Sequence, residues 1–103
     1  TVLVLGDMAE LGSDAEQLHA EIGAKAKAAG ISQLFATGRL SESTADAFGE
    51  NGFHFKNKNE LIKALRKALT GSETVLIKGS RSAAMEEVVE RILTQQNNNK
   101  RVN

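Results

Sequence analysis

The chain has no cysteine, proline, tryptophan or tyrosine, and only four phenylalanines among its 103 residues. Without cysteine there is neither a disulfide framework nor a thiolate zinc site. Without Trp or Tyr, the rings that commonly build aromatic ligand cages or base-stacking platforms are missing. No run approaches the ~20 consecutive apolar residues of a membrane span. Neither sign of charge prevails: 13 Lys and Arg balance 13 Asp and Glu, with a pI near 6.7. No global basic field therefore draws in nucleic acid or anionic lipid. Neither a nucleic-acid partner nor membrane insertion is expected, and a cytoplasmic location is the simplest reading.

What is present is the composition of a folded domain. Hydrophobic residues make up 41% and charged residues 25%, far from the composition of disordered chains. The length suits one core. The opening Thr1-Val2-Leu3-Val4-Leu5 reads as a strand rather than a start methionine, a signal peptide or a basic arm, so a fragment of a longer protein is expected.

Between glycines the hydrophobic pattern alternates short apolar runs with helical spacing, giving the order β-α-β-α-β-α-β-α. Residues 2–5 are a continuous apolar run suited to a strand covered on both faces. Ser13-Asp14-Ala15-Glu16 has capping-box spacing and predicts a helix with Ala15, Leu18, Ile22, Ala26 and Ala29 along one face, stopped by Gly30. Its alanines and Gly23 suggest close approach of this helix to the sheet. Leu34-Phe35-Ala36-Thr37 is a second strand, and residues 43–48 a short helix.

Phe53-His54-Phe55 alternates, as a short strand near the sheet edge would, with the phenylalanines on one side and His54 and Lys56 on the other. Asn57-Lys58-Asn59-Glu60 repeats the capping pattern before a stripe of Leu61, Ile62, Leu65 and Leu69, and Gly71 ends that helix. Thr74-Val75-Leu76-Ile77 is the fourth strand, read as buried. The last helix buries Met85, Val88, Val89 and Ile92. Residues 1–94 form the domain, and the polar 95–103, with its Asn97-Asn98-Asn99 run, is expected to be a disordered tail.

Strands alternating with helices across short loops run parallel, and right-handed crossovers place helices on both faces: a three-layer, Rossmann-like open α/β sheet. The commonest order puts the first and fourth strands side by side, with the second and third beyond the first. Ligands in such sheets sit outside the carboxyl ends of the strands. Loops 6–12 and 78–82 would flank one crevice there, with Arg39 on its rim.

Lys78-Gly79-Ser80-Arg81-Ser82 joins a strand to a helix N-terminus, where free N–H groups favour an anion. Gly79 permits close approach, Arg81 offers a planar fork to a carboxylate or phosphate, Lys78 a point charge, and the serines hydroxyl donors. The competing reading is that Ser82 caps the helix while the cations are solvated. The facing Gly6-Asp7-Met8-Ala9-Glu10-Leu11-Gly12 carries two carboxylates. They could receive an ammonium group, bind magnesium through water, pair with Lys78 or Arg81, or be plain solvated acids.

No G-x-G-x-x-G and no Gly-Lys dipeptide occurs, which disfavours dinucleotide and P-loop binding. His19, beside the helical stripe, is more readily structural, and two isolated histidines make no metal site. Lys56, Lys58, Lys63, Arg66 and Lys67 read as an ordinary wet face. A receiver domain is excluded, because Phe55 leads into Lys56 where an aspartate would be needed.

Leu5-Gly6-Asp7-Met8-Ala9-Glu10-Leu11-Gly12, with His19 and Ile22-Gly23 downstream, and Lys78-Gly79-Ser80-Arg81-Ser82-Ala83-Ala84-Met85-Glu86 together resemble one family. It is the C-terminal domain of the Mur ligases of peptidoglycan synthesis, in the MurF branch that adds D-alanyl-D-alanine to UDP-N-acetylmuramoyl-tripeptide. The resemblance runs from Val2 to about Leu93.

It implies a three-domain ligase: an amino domain holding the UDP-sugar, a central domain holding ATP and magnesium, and this last domain closing over them. The tripeptide carboxylate is activated as an acyl phosphate, which the dipeptide amine attacks. The family's phosphate loop, metal ligands and proline-bearing opening segment are not in this sequence. The fragment alone is therefore expected to be inactive, with no catalytic residue of its own. Carried over, Lys78, Gly79, Ser80 and Arg81 would bind the dipeptide or the developing charge. Arg81 would take the carboxylate. Asp7, Met8 and Glu10 would shape the opposite wall, with Asp7 or Glu10 near the ammonium or ordering the basic loop. His19, Gly6, Gly12 and Arg39 would support it. The rival is a stand-alone Rossmann-like anion-binding or protein-interaction module.

Overall fold

Four apolar residues, Val2–Leu5, form β1 and are all buried, because β1 lies inside the sheet with a parallel neighbour on each side. Those neighbours are β2 (Gln33–Thr37) and β4 (Val75–Lys78), and β3 (Gly52–Phe55) pairs with β2. The order is β3-β2-β1-β4, all parallel, as the crossover argument expects. Helices α1 (Ala15–Ala28), α2 (Ser41–Phe48), α3 (Lys58–Ala68) and α4 (Glu86–Val102) fill the connections and the C-terminus. In this computed structural model the described residues are 1–8 and 12–102, except for the side chains of Ser82 and of 95–102. None of its described helices is long and apolar enough to cross a membrane.

Strand alternation splits the core into two. Val2, Val4 and Phe35 pack with Leu61, Ile62 and Leu65 of α3 and with Met85 and Val88 on one face. Leu3, Leu5, Leu34 and Ala36 pack with Ala26, Ala45 and Phe48 on the other. Each fully buried Leu, Ile or Val adds about 1.5–3 kcal/mol of transfer free energy. At the edge, Phe53 and Phe55 both lie against the Phe35 ring, at 5.4 and 6.0 Å between centroids, as their alternation requires.

Several local expectations are corrected. No side chain caps α1, and a 3-10 turn over Gly12–Asp14 leads into it instead of a Ser13 capping box. The buried face of α1 is His19, Gly23 and Ala26, leaving Leu18 at 36% exposure. Gly23 serves contact with α2 rather than with the sheet, since a Cβ there would strike the Thr44 carbonyl. The helix expected over 43–48 starts at Ser41. By contrast, Asn57 does cap α3, its side chain accepting the Glu60 N–H at 2.9 Å.

The strand read as buried, β4, lies at the sheet edge. Leu76 is 42% exposed and Lys78 is exposed, and the α1/α2 core includes no β4 residue. Val89 is likewise exposed at 37% instead of buried in the last helix. That helix is assigned through Val102 and takes in most of the segment expected as a tail. No glycine or proline interrupts 86–102.

The turn before β4 is tied by Glu73, whose carboxylate accepts from the Thr70 and Gly71 N–H groups and the Thr70 hydroxyl at 2.9–3.1 Å. Partial dehydration pushes this carboxyl up, but the backbone and hydroxyl donors outweigh it and hold it below the usual value. A lowered folded-state value means the stabilisation is present above the unfolded-state value and lost as pH falls through the folded-state value. Glu73→Gln should therefore cost stability at neutral pH, and its deficit against wild type should shrink in acid. Urea midpoints at the two pH values check this, and a deficit independent of pH would contradict it.

Candidate functional site

The turns after β1 and β4 meet at the carboxyl edge of the sheet. The Gly6 N–H donates to the Lys78 carbonyl at 2.8 Å. The Ser80 N–H and hydroxyl both donate to the Asp7 carbonyl, at 3.1 and 3.0 Å. Glycine is needed on both turns for this approach. A Cβ on Gly6 would fall 2.6 Å from the Met85 sulfur and 2.9 Å from the Ala83 Cβ, and one on Gly79 would fall 2.7 Å from the Met85 Cγ. The sequence thus brings its two glycine-bearing turns into one rim.

Met8, Ile77, Lys78, Gly79, Ser80, Arg81, Met85, Glu86 and Val89 line a cavity of about 560 Å³ on the β4 side of that rim. Its floor is apolar, and charge sits around it. The side chains of Lys78 and Arg81 are exposed and take part in no hydrogen bond or ion pair among the described residues. Ser80, expected to donate to a ligand, uses its hydroxyl to hold the turns together.

Asp7 joins the turns through its carbonyl, while its carboxylate points elsewhere. It accepts from the Leu40 N–H at 3.2 Å, the Ser41 N–H at 2.9 Å and the Ser41 hydroxyl at 2.8 Å, capping α2. The carboxylate therefore orders the β2–α2 loop instead of facing an ammonium group or the basic loop. Gly38, at φ +111°, completes the arrangement, because a side chain there would run into that carboxylate.

His19 is fully buried. Its Nε2 accepts the Met8 N–H at 3.0 Å and its Nδ1–H donates to the Ala15 carbonyl at 2.7 Å, so it holds the Met8 wall from beneath. The ring is part of the buried face of α1 and not beside it. Gly12, at φ +74°, opens the turn into α1. Arg39 is exposed on the β2–α2 loop and does not line the cavity with Lys78 and Arg81. Glu10 lies outside the described residues.

A second cavity, about 350 Å³, lies across the rim between Asp7, Thr37, Gly38, Lys56, Asn57, Lys58 and Ala83. Lys58 is no simple surface charge. Its ammonium donates to the Ala83 and Ala84 carbonyls at 3.2 and 3.4 Å and pairs with Glu87 at 3.4 Å. It steadies the junction where Ala84 adopts a left-handed φ of 52°. Arg66 also departs from a wet face, donating to the Arg91 carbonyl at 3.0 Å. Sequence reasoning missed Glu86 and Lys58. Glu86 stood within the quoted motif, four residues past Ser82, where strand-to-helix spacing could have placed it on the same rim.

A model of the Mur ligase glutamate ligase domain matches residues 1–81. The UDP-N-acetylmuramoyl-tripeptide--D-alanyl-D-alanine ligase of Escherichia coli strain K12 is 49% identical over 90 residues, covering 85% of this chain and 20% of the relative. The ligases of the same name from Buchnera aphidicola subsp. Acyrthosiphon pisum and Bacillus subtilis strain 168 are 40% and 31% identical. Each match covers 21% of the relative, and they take in 91% and 89% of this chain respectively. The crystal structure of MurF from Acinetobacter baumannii superposes with a TM-score of 0.81 at 22% identity, over 91% of this chain and 21% of that one, a likeness of fold. The chain spans about 20% of the length of these curated relatives. With the family model covering most of its length and the two motif turns joined at one rim, the chain belongs to the Mur ligase family as its glutamate ligase domain.

Proposed function

We propose that this chain is the closing, substrate-binding domain of a longer cytoplasmic ligase that joins D-alanyl-D-alanine to UDP-N-acetylmuramoyl-tripeptide in peptidoglycan synthesis. In this reading the turn after β4 receives the dipeptide carboxylate. The observation that carries it is the placement of Lys78 and Arg81, neither with a hydrogen-bond or ion-pair partner among the described residues, on one cavity floored by Met8, Ile77, Met85 and Val89. A guanidinium fork suits a carboxylate, and an apolar floor suits the two methyl groups between the dipeptide's ends. The relatives' names supply the substrates.

The chemistry asks little else of this domain. Acyl transfer to an amine needs nucleophile and activated carboxyl held together away from water, and a domain that delivers the dipeptide contributes by position. The family implies ATP and magnesium, but this chain alone does not fit the role of their site. No group of three or more acids or histidines could hold a metal ion among the described residues, and the sequence has no Gly-Lys phosphate loop. The fragment alone is therefore inactive in this reading.

In the longer enzyme, Arg81→Ala should raise the KM for D-alanyl-D-alanine by about tenfold or more, the loss of a charge-assisted pair. The KM values for ATP and the UDP-sugar should barely move. Steady-state kinetics with each substrate varied in turn measures this, and equal changes in all three would remove the assignment.

A further inference from the structure

We infer that Glu86 reads the amino end of the ligand, so that this cavity selects a zwitterionic dipeptide over other small carboxylates. The inference rests on the dipeptide reading above and deepens it. Glu86 is the first residue of α4 and lines the same cavity as Lys78 and Arg81. Its carboxylate takes part in no hydrogen bond or ion pair among the described residues, in contrast to the adjacent Glu87, which binds Lys58 and Arg91. Three charges of two signs thus share one cavity without neutralising one another. A ligand carrying both signs satisfies them together, whereas a simple carboxylate leaves Glu86 without a partner.

The other described acid near the rim is already committed. The Asp7 carboxylate is held by the N-terminus of α2 and lines the opposite cavity. Glu86 is accordingly the one described acid on this cavity. A dipeptide's two residues extend about 7 Å, and a cavity of about 560 Å³ lined by both cations and Glu86 has room for it. An acid in a first helical turn also steadies the helix, so the deciding readout is ligand preference and not stability.

The test is a nuclear magnetic resonance titration of the chain and of Glu86→Gln with D-alanyl-D-alanine and with N-acetyl-D-alanyl-D-alanine, which lacks the ammonium. The wild-type chain should bind the free-amine dipeptide about tenfold more tightly, as one charge-assisted contact provides. Glu86→Gln should bind the two alike, at the level of the acetylated compound. A wild-type chain that binds both equally, or a variant that keeps the preference, would overturn the role of Glu86 while leaving the carboxylate site intact. If neither dipeptide binds, the dipeptide reading falls and this inference with it.

Discussion

Gly23→Ala should destabilise the chain by about 2–3 kcal/mol, although alanine is favoured over glycine by ~1 kcal/mol in an exposed helix interior. The sign reverses because the added methyl would meet backbone. It would overlap the Thr44 carbonyl and lie 3.2 Å from the Phe48 nitrogen. Backbone within a helix cannot swing aside as a side-chain end does, so α1 and α2 would have to separate. With them would go the 2.8 Å bond from the buried Thr44 hydroxyl to the His19 carbonyl. Urea unfolding of the two proteins decides the matter, and a gain in midpoint would mean the two helices are not in this contact.

The second large effect belongs to Asp7. Asp7→Ala should cost about 2–3 kcal/mol, a lost cap together with a buried serine left partly unsatisfied. The Ser41 side chain is fully buried and donates to this carboxylate. Asp7→Asn, which keeps an acceptor, should lose less. The local signature is hydrogen exchange, because the Leu40 and Ser41 amides should lose protection in Asp7→Ala while those of α3 keep it relative to global stability. Unchanged stability with altered ligand binding alone would return Asp7 to the ligand and contradict the capping role.

These two residues also show where the sequence is opaque. The observed strand order is the commonest arrangement expected for such a sheet, since parallel crossovers leave few topologies, and β1 was legible as an inner strand because it is apolar at every position. Asn57 was legible because its cap is local, three residues from Glu60. The cap on α2 was not, because Asp7 reaches Ser41 across 34 residues of chain and no local pattern marks such a partner. Periodicity likewise placed Leu18 on the buried face of α1, since hydrophobicity is what it measures. The contact with α2 instead selects the small Gly23 and Ala26 and leaves Leu18 outside. The exposed flank of β4 was hidden for a different reason. An apolar run indicates a strand, but Val75, Leu76 and Ile77 do not reveal that β4 is the end strand of the described sheet.

The candidate site divides in the same way. Its glycines and cations were readable from composition at a strand-to-helix turn, and the structure gathers Met8 and 78–81 on one cavity. The split between Asp7 and the rest depends on which direction a carboxylate takes, and its carbonyl and carboxylate serve different neighbours. Glu86 needed the three-dimensional rim to be noticed beside Arg81.

The most direct measurement is a crystal structure of the chain with D-alanyl-D-alanine. The account predicts the dipeptide carboxylate against Arg81 and Lys78, with its methyl groups over Met8, Ile77 and Met85. A dipeptide seated across the rim between Lys56 and Lys58, or anywhere away from the turn after β4, would contradict it.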